Sequence, residues 1–331
     1  MKRILVTGGA GFIGHHFVEH LLKTTDWEII VLDRLNYASG GFDRLRDINV
    51  FDEKRVHIFT SDFTRPIEAG LSKEIGSVYY IVHIGAETHV DRSIENPEVF
   101  VMSNVIGTMR LLDFARKQKN LNKFLYFSTD EVFGPAPEGI FYKEWDRYNS
   151  TNPYSASKAG GEELALAYAN TYSLPVFITH TMNVFGERQH PEKFIPMTIR
   201  KVLDGEKVLI HSDKDKLRAG SRFWIHARNV AAAIAFLLDK SEIREKYNIV
   251  GEREINNLEM ANQISRIMGK PLDYELIDFH SSRPGHDLRY ALDGAKMYNL
   301  GWSIPMKFED SLQKTIKWSL ENKKWLYVDE E

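Results

Sequence analysis

The chain contains no cysteine. That excludes disulfides, thiolate nucleophiles and cysteine-built zinc sites, and it suits a reducing compartment. Neither sign of charge dominates: 43 Lys and Arg face 46 Asp and Glu, for a net charge of −3. No global attraction to nucleic acid or to a membrane surface follows from that balance. No apolar run approaches the roughly 18 residues of a membrane-crossing helix. Ile4-Leu5-Val6, at the start, is too short for a signal-peptide core. Internal repeats and low-complexity segments are also missing. These absences leave a soluble, cytoplasmic globular protein as the expectation. With 331 residues, 43% hydrophobic and 27% charged, the chain is large enough for a substantial core and one or two domains.

What is present is an alternation. Short β-branched runs read as strands at Ile4–Thr7, Glu28–Leu32, Val56–Phe59, Ser77–His83, Phe124–Ser128, Val176–Thr179 and Tyr247–Val250. Amphipathic stretches read as helices at Phe12–Lys23, Glu98–Lys119, Ser155–Tyr172 and Asn229–Leu238. Such spacing implies βαβ units and a Rossmann-type, doubly wound parallel sheet, the α/β class. The regularity breaks after about Gly186, where prolines and polar loops take over. Residues 1–186 are therefore expected to form the dinucleotide-binding domain, with 222–250 returning to it. Residues 187–221 and 251–331 are expected to form a smaller C-terminal lobe.

The stretch Gly8-Gly-Ala-Gly-Phe-Ile-Gly14 follows the first strand and opens a helix. Glycines there let the backbone approach a pyrophosphate at a helix N-terminus. Asp33 ends the next strand about 20 residues later, where a carboxylate can bind a ribose 2′-hydroxyl and repel a 2′-phosphate. That favours NAD over NADP, although the adjacent Arg34 is a side chain that could accept a phosphate. Asp62, after the third strand, is either a plain loop acid or an acceptor for the adenine amino group.

Two carboxylates, Asp130 and Glu131, stand side by side with Thr129 at the end of the apolar run 123–128. Acids beside a buried strand are rare unless paired or used. Tyr154 and Lys158 follow, at the i, i+4 spacing that places both on one helix face. A tyrosine base must lose its proton about three units below its free value of roughly 10, which needs about 4 kcal/mol. One ammonium at ~4 Å supplies about that much at an effective dielectric of ~20. His15, His16, His83 and His89 lack a metal-ligand spacing and read as loop or core residues; no metal is expected.

Taken together, GGAGFIG (8–14), DRLNYAS (33–39), HIGAETHVDRSIENP (83–97), NVIGT (104–108), STDEVFG (128–134), YSASKAG (154–160), HPEKFIP (190–196) and RPGHDLRY (283–290) resemble an extended short-chain dehydrogenase/reductase, similar to the dTDP-glucose 4,6-dehydratases. Sister epimerases and decarboxylases usually lack the Asp-Glu pair. The resemblance implies an NAD cofactor held by Gly8, Gly11, Phe12, Ile13, Gly14, Asp33, Arg34, Asn36, Asp62, Phe63 and Ala86, with Tyr154 and Lys158. It implies a sugar pocket with Thr88, Asn183, Glu192 and Lys193. Arg222, Asn257 and Arg283 are implied to hold the diphosphate, with His286 and Tyr290 also on the substrate. Its chemistry would oxidise carbon 4 through Tyr154, aided by Thr129 and Lys158. Glu131 would remove the carbon-5 proton, and Asp130 would protonate the departing carbon-6 hydroxyl. The resemblance also implies a homodimer built on the second and third helices, with Val101, Val105, Met109, Leu112, Leu164, Leu166 and Tyr168 as its apolar surplus.

Three segments depart from the family's pattern. Asn183 is followed by Val184-Phe185, Leu209-Ile210-His211-Ser212 replaces a Pro-x-Tyr-Gly stretch, and the loop Asp213–Gly220 is long before Arg222-Phe223-Trp224-Ile225-His226. All lie in the substrate lobe, so the nucleotide base (dTDP, UDP, GDP or CDP) and the hexose stay open. An epimerase or decarboxylase on the same scaffold is the second reading. A non-catalytic dinucleotide sensor is the third.

Overall fold

A computed structural model of the chain describes residues 1–278 and 288–327. Its strands, in chain order, are β1 (Arg3–Thr7), β2 (Glu28–Asp33), β3 (Val56–Thr60), β4 (Tyr80–His83), β5 (Lys123–Thr129), β6 (Val176–Thr181), β7 (Asn183–Phe185), β8 (Val208–Ser212), β9 (Ser221–His226), β10 (Lys246–Ile249), β11 (Glu254–Asn256) and β12 (Tyr274–Asp278). Seven of them form one sheet in the order β10-β6-β5-β4-β1-β2-β3, every neighbouring pair parallel. Both faces of the central strands are covered, so those strands are mainly apolar: Ile4, Leu5, Val6, Ile81, Val82, Phe124 and Leu125 are fully buried. The sheet is Rossmann-type, as the alternation of runs implied. Among the described residues, no helix is long and apolar enough to cross a membrane.

The helix expected at Glu98–Lys119 is in fact segmented. Pro97 opens a short helix, Pro97–Val101, at its first turn, and Asn96 before it is held out of helical geometry (φ −141°, ψ 77°). A π-helical stretch, Met102–Gly107, then leads into the helix Thr108–Ala115. Gly107 packs on the Phe63 ring so closely that a Cβ would lie 2.7 Å from it. The strand expected at Ser77–His83 enters the ladder only at Tyr80.

The helix Ala227–Lys240 returns to the large sheet, burying Val230, Ala231, Ile234 and Leu237 in the same core as Ile4, Val6 and Phe17. β10 then closes that sheet's edge beside β6. Residues 221–226 do not return with them. They form β9, the middle strand of a separate sheet, β11-β9-β7. A further pair, β12-β8, flanks it. Phe185, Ile195, Trp224, Met260, Phe308 and Leu312 make the core of this smaller lobe.

One polar network crosses the interior. Glu162, on the helix Pro153–Tyr172, is fully buried and accepts from His180 Nε2 at 3.0 Å and from Lys246 Nζ at 3.1 Å. It ties the helix to β6 and β10. Removing one partner of such a set strands a charge in a dry interior. Lys246→Met is therefore expected to lower unfolding stability by roughly 3–5 kcal/mol. Adding Glu162→Gln should recover part of that loss in urea titration.

Candidate active site

In an open parallel sheet, ligands bind where the strand order reverses, at the carboxyl ends. Here that place lies between β1 and β4. The loop after β1 meets the loop after β4 with almost no space: a Cβ on Gly8 would lie 2.6 Å from the Gly85 Cα, and Gly8 has φ +70°. Gly14, at the start of the helix Phe12–Thr24, is as tightly placed. A Cβ there would sit 2.0 Å from the Gly8 carbonyl oxygen. The turn thus presents bare backbone and a helix N-terminus to a cavity, the arrangement that receives a pyrophosphate. Asp33, at the end of β2, borders the same cavity and is 7% exposed. Its oxygens accept from the Ala10 and Leu35 amides at 3.0 and 2.8 Å.

From there the cavity runs along the carboxyl edge of the sheet to the two carboxylates. Gly8, Gly11, Phe12, Ile13, Gly14, Asp33, Arg34, Asn36, Phe63, Ala86, Thr88, Thr129, Asp130, Glu131, Tyr154, Lys158, Asn183, Glu192 and Lys193 all border it. Asp62 does not. Its side chain is 40% exposed, accepts from the Thr64 amide at 2.9 Å and lies 3.9 Å from Arg34 Nη1. Arg222, Asn257 and Tyr290 are likewise off the cavity wall. Asn257 opens the helix Asn257–Met268 and donates its amide to Gly220. Arg283 and His286 lie outside the described residues.

Thr129 ends β5, and Asp130 and Glu131 begin a 3₁₀ turn near Asn152, the N-cap of the helix Pro153–Tyr172. Thr129 donates to Asp130 Oδ1 at 3.0 Å, and Asn152 donates to Glu131 Oε2 at 3.3 Å. Asp130 is 3% exposed, and among the described residues its Oδ2 has no hydrogen-bond partner. Burial pushes the Asp130 carboxyl up to about 6, against the pull of Arg222 and of Thr129. Burial and the neighbouring Asp130 charge push Glu131 up to about 7. Near neutral pH the pair holds about one proton between two carboxyls, which is one acid and one base in one place.

The electrostatic role expected of Lys158 is not what the structure shows. Its ammonium donates to the Phe127 carbonyl at 2.7 Å and lies over the Tyr126 ring at 4.3 Å. Burial lowers Lys158 to about 7. Tyr154 is driven well above its ordinary value by burial and by the charges of Glu131 and Asp130, against one hydrogen bond from Thr129. The carboxyl pair outweighs the lysine because the lysine is turned toward backbone. Arg222 differs too. Both its carbonyl contacts, Ser221 at 2.6 Å and Leu288 at 2.8 Å, and its seat on the Tyr290 ring at 4.5 Å place it in protein. From there it acts on Asp130 and Glu131.

Several bordering residues escaped the motif reading. Glu87 sits within the quoted stretch 83–97, is 7% exposed and pairs closely with Arg34. Asn104 holds the Glu87 backbone from both sides, at 2.9 and 3.0 Å. Tyr37 is stacked under Arg92 at 3.4 Å and meets His190 edge-on. Glu192 gathers His89, His190 and Lys193 within 3.5–3.6 Å. His83 is buried between Thr7 and Thr108, at 2.7 and 3.1 Å, and burial holds it neutral. Among the described residues, no cluster of His, Asp and Glu could hold a metal ion.

A glycine cradle, an acid at the end of the second strand and a Tyr-Lys helix beside a carboxyl pair define a nucleotide-dependent enzyme of the short-chain dehydrogenase kind. Residues 4–250 match the NAD dependent epimerase/dehydratase family, and the chain belongs to it. Its cofactor is NAD. A low-salt glycan biosynthesis protein of Haloferax volcanii, Agl12, is 40% identical over 96% of this chain and 98% of its own length. The dTDP-glucose 4,6-dehydratase of Salmonella typhimurium is 35% identical over 98% and 94%. Among solved structures, the Streptomyces venezuelae dTDP-glucose 4,6-dehydratase DesIV, with NAD bound, aligns with a TM-score of 0.88. It shares 37% identity, covering 98% of both chains. These likenesses make the chain an enzyme of the dehydratase type, a hydro-lyase.

The raised carboxyls carry a pH signature. A carboxyl whose folded value exceeds its unfolded one favours the native state while neutral and costs stability once ionised. For Asp130 and Glu131 that cost grows from about pH 4 and is complete above about pH 7. The double variant Asp130→Asn, Glu131→Gln should therefore be more stable than the wild type at pH 8, by on the order of 2–3 kcal/mol. The gain should vanish toward pH 4 in denaturant titrations. A gain that grew toward acid pH would contradict the buried pair.

Proposed function

We propose that the enzyme is a nucleotide-hexose 4,6-dehydratase, with dTDP-glucose as the first candidate substrate and dTDP-4-keto-6-deoxyglucose as product. The observation that carries this reading is the buried carboxyl pair beside Tyr154. Ketone formation at carbon 4 acidifies the hydrogen at carbon 5, and elimination then needs a base and an acid on one substrate. An epimerase needs no acid at carbon 6. The glycan-biosynthesis relative keeps the exact sugar and base open, and a UDP-, GDP- or CDP-hexose is the alternative. Because β7 pairs with β9 rather than with the large sheet, the boundary moves from 186 to 182, and the residues support a nucleotide-binding unit of 1–182 and 227–250 with a nucleotide-sugar lobe of 183–226 and 251–331. A chain without cysteine suits the cytoplasm.

The glycine cradle and Asp33 fit the adenosine diphosphate half of NAD, and Tyr154 and Lys158 fit the nicotinamide end. When bound there, NAD would supply the hydride acceptor for carbon 4 and, once reduced, the hydride donor for carbon 6. Tyr154 takes the 4-hydroxyl proton. Its phenol, pushed up in the free protein, is lowered by its hydrogen bond with Thr129. Glu131, at the more open position, takes the carbon-5 proton. Asp130, deeper, protonates the leaving hydroxyl. Both carboxyls are raised, so one member of the pair can be held neutral as the acid while the other is ionised as the base. Each positioned transfer is worth roughly 10²–10⁴ in rate.

A panel of dTDP-, UDP-, GDP- and CDP-hexoses, with product masses checked for loss of water, tests the reading. Turnover should need no added NAD; a stoichiometric requirement would sink it. Glu131→Gln should cut turnover by roughly 10²–10⁴ while still allowing NADH absorbance to build in a single turnover. Tyr154→Phe should show no NADH signal. Wild-type water loss in Glu131→Gln would reassign the base.

A homodimer fits the exposed apolar surface. Ile94, Val99, Val101, Met102 and Tyr172 are each about two-fifths or more exposed on the helices 90–101 and 153–172 and their flank. Leu112, expected on this face, is fully buried in the core instead. Two such helix pairs could form a four-helix contact. Light scattering at micromolar concentration should give twice the 38.2 kDa chain mass; a monomer would refute the dimer.

A further inference from the structure

We propose that Glu87 is a specificity-determining residue that excludes NADP by withholding Arg34 from the 2′-phosphate position. The inference rests on the family's use of NAD, not on the sugar substrate.

Asp33 marks the ribose end of the cradle, and an arginine beside such an acid is the side chain that accommodates a 2′-phosphate. Arg34 occupies that place and borders the same cavity. Left free, its planar fork would bind phosphate oxygens and weaken the selection that Asp33 makes. It is not free. Nη2 donates to Glu87 Oε1 in a close contact, and Nη1 faces Asp62 at 3.9 Å. The same Glu87 oxygen accepts from Asn36 Nδ2 at 2.9 Å.

Glu87 is buried, borders the cavity and takes no part in the proposed proton transfers. It also cannot follow Arg34 if the arginine turns away. Its amide donates to Asn104 Oδ1 at 2.9 Å, and its carbonyl accepts from Asn104 Nδ2 at 3.0 Å. Asn104 Nδ2 donates as well to Ser157 Oγ at 2.9 Å, on the helix that carries Tyr154 and Lys158. Moving Arg34 to a phosphate would leave a buried carboxylate held by one neutral amide. Breaking a buried pair in that way is strongly unfavourable. Asp33 repels the phosphate, and Glu87 removes the cation that would offset that repulsion.

The test reads nucleotide retention rather than turnover. Holoenzyme is incubated with equal excesses of NAD and NADP, desalted and denatured, and the released nucleotides are quantified by mass. Asp33 is untouched throughout, so its repulsion cancels in the comparison. Glu87→Ala and Glu87→Gln should raise the NADP:NAD ratio by about tenfold or more, the scale of one charge-assisted hydrogen bond. Adding Arg34→Leu to either should return the ratio to the wild-type value. Arg34→Leu alone should leave the ratio unchanged, because the arginine is already engaged. Two outcomes overturn the proposal. One is equal loss of both nucleotides in the Glu87 variants, which marks a purely structural role. The other is a fall in NADP retention in Arg34→Leu alone, which shows that the wild-type arginine reaches the phosphate; this arm decides even if the Glu87 variants do not fold.

Discussion

The loops after β1 and β4 touch through bare glycine backbone, Gly8 on Gly85. Everything functional hangs from that contact. It brings the loops at the carboxyl ends of the central strands together without a side chain between them, beside a cavity of the kind that receives a dinucleotide across backbone amides. Gly14 extends the same constraint to the first helix, whose N-terminus could not come so close with any side chain present. The cavity then follows the sheet edge through Ile84, Gly85 and Ala86 to Thr129, so the cofactor cradle and the carboxyl pair are consecutive stretches of one rim.

Along that rim the electrostatics are set by burial more than by partners. Asp130 and Glu131 are adjacent in sequence, end a buried strand and share few hydrogen-bond donors. Their ionised forms are therefore disfavoured, and each penalises the other. Arg222 keeps the penalty finite from beneath, resting on Tyr290 and on backbone carbonyls. Lys158 spends its ammonium on the Phe127 carbonyl, so in the free protein the tyrosine feels the carboxyls before it feels the lysine. At the other end, the acids Glu87 and Asp62 face Arg34. The two ends are joined through Asn104 and Ser157, a neutral hydrogen-bonded bridge to the helix that carries the base.

The carboxyl pair and the Tyr-Lys helix fall in a different part of the molecule from the departures. The chemistry-bearing segments sit on the large sheet, where the parallel order leaves little freedom. β8, the loop after it and β9 belong to small sheets of two and three strands. There, side chains and loop length can change without disturbing the cradle.

By itself, the sequence determined the large sheet and the identity of the chemical groups. Buried parallel strands must be apolar runs and their helices amphipathic, so the period of hydrophobicity is visible residue by residue, and glycine, acid and Tyr-Lys spacings are local. It did not determine where β9 goes, since a six-residue apolar strand suits either sheet and only the pairing with β7 and β11 decides. Nor did it show the π turn at Asn104, which makes contacts with Glu87, Ser157 and, through Gly107, Phe63. The direction of the Lys158 ammonium, the burial of Leu112 and the capture of Arg34 by Glu87 were equally hidden. Each is a contact between residues tens of positions apart, and in a low-dielectric interior such contacts, not residue type, decide which charge a neighbour feels.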